Sequence, residues 1–316
     1  MHFQINMKLF DLHCDTATRL WGENQSLYEN NCHISLKRAE YLESYAQVMA
    51  IWTDRKLSDE NGYQRFFDVL KNLDNEIQIN SNKVCRITSS KELQSCISNG
   101  KIPMILAVED ARILNNDISR LNVLHSQGVK LLTLNWYGKT CIGGAHDTDI
   151  GLSDFGVSVV KNCFNLGIIP DVSHSSFRGA KMTLELAKEF NKPIVASHSD
   201  SHSVNAHTRN LLDDDFCDIR NLGGLVGINL CPEHLYLKQE PNISHVLLHI
   251  EHYLTLNGEN TIAMGTDLDG TNLPNGFNGV GDIYKIAEEM QKINYNDELI
   301  EKIMYKNAFE FFKRNI

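Results

Sequence analysis

The sequence predicts a (β/α)8 TIM-type barrel. Eight short, continuously apolar segments recur along the chain, and a longer segment with helical spacing follows each of them. Uninterrupted apolar runs are typical of parallel strands that are buried on both faces. Eight alternations of strand and helix favour a closed barrel over the alternative, an open doubly wound sheet, which usually has fewer strands. The predicted strands are residues 8–15, 46–53, 102–109, 130–136, 168–174, 193–198, 225–231 and 261–267.

The intervening segments have helical patterns. Residues 175–191 begin with serines that can cap a helix and end just before Pro193. Residues 154–166 and 243–256 are similar, and 282–315 are expected to be helical and to pack on the outside. The length would suit two domains, but barrels of this size often form one. Because no Pro/Ser-rich linker divides the chain, we expect one domain over residues 1–316.

The composition excludes several classes of protein. With 30 Lys and Arg against 40 Asp and Glu, the 316-residue chain has a formal net charge of -10 and no basic block, which argues against binding nucleic acid or anionic lipid. No apolar run reaches the roughly 18 residues that a membrane span needs. The first residues lack a signal-peptide pattern, and the eight cysteines are scattered without a C-x-x-C pair. These features predict a cytoplasmic protein with reduced thiols.

Side chains that can bind a metal ion stand at the ends of five predicted strands. These residues are His13 and Asp15, Glu109, His174, His198 and Asp267. The carboxyl ends of all barrel strands meet at one face, so we expect these side chains to share one pocket. Burying them without partners would be costly. Imidazoles and carboxylates without cysteine suit Zn, Mn, Ni or Fe(II).

Three histidines and three carboxylates are sufficient for two divalent ions, with Glu109 bridging them. Two ions a few Å apart can share a hydroxide and polarise a carbonyl group. Asp267 would then carry a proton. The residues alone therefore predict hydrolysis of an amide, an ester or a related bond.

Six motifs in order resemble those of one known family. They are DLHCDT (11–16), VED (108–110), DVSHSS (171–176), ASHSDS (196–201), TRNLLDD (208–214) and GTDLDG (265–270). The chain is similar to the membrane dipeptidases (renal dipeptidase family), peptidases of the amidohydrolase-like barrel superfamily. The resemblance extends from about residue 8 to the C-terminus.

The resemblance implies a ligand set for two zinc ions. His13 and Asp15 correspond to ligands of the first zinc, and His174 and His198 to ligands of the second. Glu109 corresponds to the bridging carboxylate. The family's reaction is attack of a metal-bridging hydroxide on the peptide bond of a dipeptide, including L-Xaa-D-Xaa. Family members commonly form homodimers, and the same is expected here.

Two further positions follow from the resemblance. Asp267 corresponds to the acid/base that activates the water and delivers its proton to the leaving amine. Arg209, in TRN, corresponds to the arginine that binds the free carboxylate of the dipeptide. A guanidinium fork suits a planar carboxylate.

One position departs from the family pattern. Better-known members have a histidine just past the fourth strand, where this chain has Asn135 and Trp136. An indole N–H donates one hydrogen bond but cannot replace a cationic imidazole. We expect Trp136 to line the substrate pocket, and His146 is an alternative substitute for the missing histidine. The departure leaves open a related barrel hydrolase that acts on another amide or a lactone. A metal-binding protein or scaffold without activity is a third hypothesis.

Overall fold

The computed structural model describes residues 7–316. Their strands form one parallel sheet that closes on itself where β2 pairs with β4, which confirms the predicted (β/α)8 barrel. The closed barrel consists of eight strands in the order β1, β2, β4, β5, β6, β7, β8 and β9. The strands are β1 Lys8–Cys14, β2 Ser44–Trp52, β3 Val84–Arg86, β4 Ile102–Glu109, β5 Val129–Thr133, β6 Ile169–Asp171, β7 Val195–Ala196, β8 Leu225–Ile228 and β9 Ile262–Met264.

The helices expected at residues 154–166, 175–191 and 243–256 are present as α5 (Asp154–Leu166), α6 (Phe177–Phe190) and α9 (Ile243–Thr255), and a side chain caps the start of each. In α6, the Ser176 Oγ accepts a hydrogen bond from the Gly179 backbone, and Asn191 ends the helix in a left-handed conformation. The helices are α1 Thr16–Glu23, α2 Asp59–Ile79, α3 Ser90–Ser98, α4 Ser119–Ser126, α5 Asp154–Leu166, α6 Phe177–Phe190, α7 Asp213–Asn221, α8 Pro232–Leu235, α9 Ile243–Thr255, α10 Tyr284–Lys292, α11 Asp297–Glu301 and α12 Asn307–Asn315. Within residues 7–316, no helix combines the length and the apolar character that crossing a membrane requires.

The barrel interior is filled with apolar side chains below the site. Inward residues of the strands, such as Phe10 and Ala107, form one buried cluster with Phe311 and Phe312 of α12. The rings of Phe10 and Phe312 stack with centroids 5.1 Å apart. The prediction that the C-terminal segment packs on the outside is therefore wrong for α12. This helix covers the end of the barrel where the strands begin, and the opposite face stays free for polar residues.

The sequence pattern did not predict β3. This strand has three residues and pairs only with the first three residues of β4. It brings Cys85 close to Cys96 of α3, with Cα atoms 6.5 Å apart, and the two form a disulfide. The expectation that all thiols are reduced is therefore wrong for this pair. The other six cysteines are free.

Several strands end earlier than predicted. The predicted strands 168–174, 193–198 and 261–267 are reduced to β6, β7 and β9, of three, two and three residues. His174 and Asp267 have φ values of +66° and +58°, which an extended strand does not allow. The chain thus leaves the sheet just before its polar residues.

We expect Gly227→Ala to destabilise the barrel. A Cβ atom at Gly227 in β8 would overlap the Ser197 carbonyl oxygen and lie 2.9 Å from the Cα of Gly265, so neighbouring strands would have to separate. Overpacking of this kind costs about 1–3 kcal/mol of the free energy of unfolding, measured by urea denaturation. Gly22→Ala in α1 is the control, because no atom lies within 4 Å of its added Cβ. Equal stability of the two variants would contradict the close approach at Gly227.

Candidate metal centre and active site

Glu109 lies at the centre of the polar cluster. Its Oε1 atom is 2.9 Å from the His174 Nε2 and 3.8 Å from the His198 Nε2. Its Oε2 atom is 3.3 Å from the His13 Nε2. The two oxygens of one carboxylate thus face two separate groups of donors, which is the arrangement that a bridging ligand requires.

The group around His13 contains two more carboxylates. The His13 Nε2 is 3.6 Å from Asp15 Oδ2 and 3.8 Å from Asp267 Oδ1. The His13 ring is 1% exposed, and neither its Nε2 nor the Asp15 Oδ1 has a hydrogen-bond partner among the described residues. Buried polar atoms without partners are costly, and a cation at this point would satisfy them.

The group around His174 consists of two imidazoles whose Nε2 atoms are 2.9 Å apart. Burial lowers the pKa of both rings well below the usual value; Arg209 contributes further at His174, and His13 at His198. Both rings are therefore neutral at pH 7, the form in which histidine binds a metal ion.

The electrostatics of the cluster call for positive charge. Burial and the neighbouring Asp15 raise the pKa of Glu109 to about 8. Burial also raises the pKa of Asp267 to about 6, although His13 acts in the opposite direction. Three crowded carboxylates and two neutral imidazoles fit divalent cations, and two triads of these side chains have converging ligand atoms: His13, Glu109, His198 and His13, Asp15, Asp267.

A buried relay fixes the tautomer of His198. The Ser197 Oγ lies 2.6 Å from Asp171 Oδ2 and 2.7 Å from the His198 Nδ1. Because Asp171 accepts the hydroxyl hydrogen of Ser197, the Ser197 oxygen accepts from the Nδ1–H of His198. The lone pair of His198 is then on Nε2, which points to Glu109. Thr133 Oγ1 donates a further hydrogen bond to Asp171, at 2.6 Å.

The backbone directs the other ligands. The register of β1 against β2 shifts between Asp11 and Cys14, so His13 joins the inner face although Phe10 and Leu12 also point inward. Asp11 then holds the chain by accepting hydrogen bonds from the backbone N–H and the hydroxyl of Thr266. Burial raises the pKa of Asp11, and the hydrogen bonds from Thr266 lower it. The left-handed conformations of His174 and Asp267 cost about 1–3 kcal/mol each, which is typical of functional positions.

Arg209 supplies an unpaired cation on the same cavity wall. It lies in the loop between β7 and α7 and is 5% exposed. Its Nη2 donates to the His198 carbonyl oxygen at 3.4 Å, whereas Nε and Nη1 are buried without partners among residues 7–316. The next residue, Asn210, donates to the carbonyls of Asn205 and His234, both at 2.8 Å, and so fixes the loop. A guanidinium with two free donors is suited to a carboxylate.

These residues open onto a cavity of about 700 Å³. Trp136 and Trp52 both line it, in edge-to-face contact with centroids 5.0 Å apart. His146 also lines it, and its Nδ1 is hydrogen-bonded to Thr208 Oγ1 at 3.0 Å. Burial and the nearby Arg209 lower the pKa of His146 to about 4, so this ring is neutral. Asn135, in contrast, is fully buried and is not part of the cavity wall.

The sequence profile of the membrane dipeptidases, peptidase family M19, matches residues 2–315. The chain belongs to this family. This chain is 27% identical over 288 residues to an uncharacterised protein of Acinetobacter calcoaceticus. The alignment covers 79% of this chain and 90% of the relative. The chain is 26% identical over 261 residues to an uncharacterised dipeptidase of Schizosaccharomyces pombe, which covers 76% of this chain and 61% of that protein.

Solved structures share the whole fold of this family member. Dipeptidase AC, a metallo peptidase of family M19, superposes with a TM-score of 0.91 at 26% identity, covering 98% of this chain and 99% of the other. A metallo peptidase from Rhodobacter sphaeroides, in complex with a phosphinate mimic of L-Ala-D-Ala, gives the same TM-score at 24% identity and the same coverage. The latter shows the same fold.

All eight residues predicted to bind metal or to take part in catalysis and substrate binding lie in or around this cavity. These are His13, Asp15, Glu109, Trp136, His174, His198, Arg209 and Asp267. Sequence reasoning gave no role to Asp171, Ser197, Trp52 or Arg65. The spacing Asp171-x-x-His174 at the end of a buried strand was the only available signal for Asp171.

We expect Asp171→Asn to weaken metal binding at the His198 side of the cluster. Loss of the charged acceptor frees Ser197 and allows His198 to adopt the other tautomer, and changes of this kind cost about 10–100-fold in metal affinity. The measurement is a titration of the metal-free protein with Zn²⁺ in competition with a chelator. We expect two binding steps, of which one is weaker in Asp171→Asn than in the wild type. Thr133→Val is the matched control, because it removes one donor to Asp171 and leaves the relay intact. Unchanged affinity in Asp171→Asn would contradict the relay.

Proposed function

We propose that this protein hydrolyses the peptide bond of dipeptides in a site that binds two divalent metal ions, with zinc as the expected metal. One observation carries the proposal. A buried guanidinium with two donors that lack partners among residues 7–316, Arg209, shares one cavity with a carboxylate, Glu109, whose oxygens face two separate sets of candidate ligand atoms. Such a site can hold a free C-terminal carboxylate and an activated peptide bond at the same time.

The proposed roles follow from the positions. His13 and Asp15 would hold one ion, His174 and His198 the other, and Glu109 would bridge them. When bound, the ions supply Lewis acidity that polarises the scissile carbonyl and lowers the pKa of a shared water.

The remaining groups handle protons and substrate. Asp267 accepts the proton of the attacking water and passes it to the leaving amine, a role favoured by its raised pKa of about 6. The Asn229 amide lies 3.4 Å from Asp267 Oδ2 and orients it. Arg209 binds the substrate carboxylate, and Trp136 forms the wall beside His174, with centroids 6.4 Å apart.

The family assignment favours peptides over the alternative, another amide or a lactone. We further propose that residues 1–316 act as one catalytic domain. A homodimer and a cytoplasmic location stay predictions, which light scattering and cell fractionation would test.

A substrate panel with metal analysis on the same sample tests the proposal. We expect hydrolysis of L,L- and L,D-dipeptides, and the Rhodobacter sphaeroides complex with a mimic of L-Ala-D-Ala motivates the L,D members. C-terminal amides of the same dipeptides should react at least about tenfold more slowly, because Arg209 loses its charged partner. Removing metal with a chelator should abolish activity, and Zn²⁺ should restore it.

Lactones and N-acyl amino acids in the same panel serve as the comparison. Faster turnover of either class than of every dipeptide would contradict the proposal in favour of the related hydrolase. Two tightly bound ions without turnover on any substrate would indicate a metal-binding protein without activity.

We expect Asp267→Asn to retain both metal ions and to lower kcat by about 100-fold or more, because an amide cannot transfer the proton. Glu233→Gln is the control, since Glu233 is another carboxylate on the cavity wall and lies outside both ligand triads. Full activity of Asp267→Asn would exclude the acid/base role. Loss of one ion from this variant would instead assign Asp267 as a ligand.

A further inference from the structure

A second arginine lines the active-site cavity and has no ion-pair partner among residues 7–316. Arg65 lies on α2, and its guanidinium carbon is 5.3 Å from the ring centroid of Trp21 and 5.6 Å from that of Trp52. Its Nη1 atom is buried and has no hydrogen-bond partner among residues 7–316. Contact with aromatic faces holds the cation in place, but it does not use the in-plane N–H donors. Arg65 also lines the active-site cavity, so its guanidinium group can take part in binding there.

The other cations of the cavity wall are already accounted for. Arg19 pairs with Glu23 at 2.5 Å. Arg209 is assigned above to the C-terminal carboxylate of the substrate. The acids that act on Arg65 through space are Asp54 and Asp15, neither of which forms a salt bridge with it, and Asp15 is a proposed metal ligand. Arg65 is thus the wall cation that lacks both an anion and a role.

The barrel places the two unpaired arginines on opposite sides of the metal cluster. Arg65 belongs to the helix that follows β2, and Arg209 to the loop that follows β7. In the closed order of eight strands, β2 and β7 are four strands apart in either direction, which is the maximum. A dipeptide with its carboxylate at Arg209 and its scissile carbonyl above Glu109 therefore extends its N-terminal residue towards Arg65.

We propose that Arg65, supported by Trp21 and Trp52, forms a subsite for a carboxylate on the side chain of the N-terminal residue, so that the enzyme prefers dipeptides beginning with L-Glu. This inference rests on the proposed dipeptidase function. The α-ammonium group adjoins the scissile carbonyl and so lies near Asp15 and Asp267, whereas only a longer side chain reaches the guanidinium. Glutamate meets both requirements, and a lysine in the same place would be repelled.

The test compares L-Glu-Xaa with L-Gln-Xaa, two substrates that differ in charge and hardly in shape. Xaa is the C-terminal residue that gives the fastest hydrolysis of L-Ala-Xaa. We expect the kcat/KM of the wild-type enzyme to be roughly tenfold or more higher for the Glu peptide, as for a charged hydrogen bond. In Arg65→Gln and in Arg65→Met, the ratio should fall to about one, and most of the change should be in KM.

Arg55→Gln is the matched control. Arg55 is an exposed arginine near the same rim, 4.6 Å from the Tyr137 ring centroid, and it does not line the cavity. The Glu/Gln ratio of kcat/KM in Arg55→Gln should equal that of the wild type. If the ratio fell equally in Arg55→Gln and Arg65→Gln, the preference would arise from the overall positive charge near the rim, and the proposed subsite would be wrong. A wild-type ratio near one would overturn it without any variant. If the wild type cleaves L-Ala-Xaa but does not discriminate Glu from Gln, only this inference fails; if no dipeptide is cleaved, the proposed function fails as well.

Discussion

The carboxylate of Glu109, buried between His13 on one side and His174 and His198 on the other, is the interaction on which the site depends. With its two oxygens at 3.3 Å and 2.9 Å from imidazoles of different strands, it connects the first, third and fifth strands of the barrel. A buried carboxylate is tolerated only where positive charge or donors surround it. His13, His174 and His198 surround this group, and the relay through Asp171 and Ser197 orients one of them, His198.

The barrel fold brings together polar side chains that are far apart in the sequence. The five candidate ligands come from the ends of four strands, β1, β4, β6 and β7, so the site exists only when the sheet closes between β2 and β4. The burial of Phe311 and Phe312 of α12 at the start of the strands provides apolar contacts far from the chemistry. This packing offsets the strain of two left-handed residues at the opposite end, His174 and Asp267.

The pattern of the sequence was sufficient to predict the barrel and the polar side chains that meet at one of its ends, because parallel strands put apolar runs and their polar ends in a fixed order. It could not locate β3, whose three residues Val-Cys-Arg lack a run, and so the proximity of Cys85 to Cys96 was also missed. The predicted strands extended too far, to His174 and to Asp267, because a hydropathy pattern does not show where the backbone φ becomes positive. The sequence did not indicate Arg65, because the role proposed for it depends on contacts with Trp21 and Trp52, which are distant in sequence.

The proposed preference for anionic dipeptides depends on local charge, because the chain as a whole has a net charge of -10. The cavity wall carries six carboxylates and three guanidinium groups, a formal charge of about -3 with the histidines counted as neutral, and two divalent ions would change this to about +1. The acidic surface is screened by salt within roughly 10 Å, whereas charges inside a cavity are screened much less. Under the proposed mechanism, a dipeptide with two carboxylates would therefore be attracted by the site with both ions bound and not by the protein as a whole.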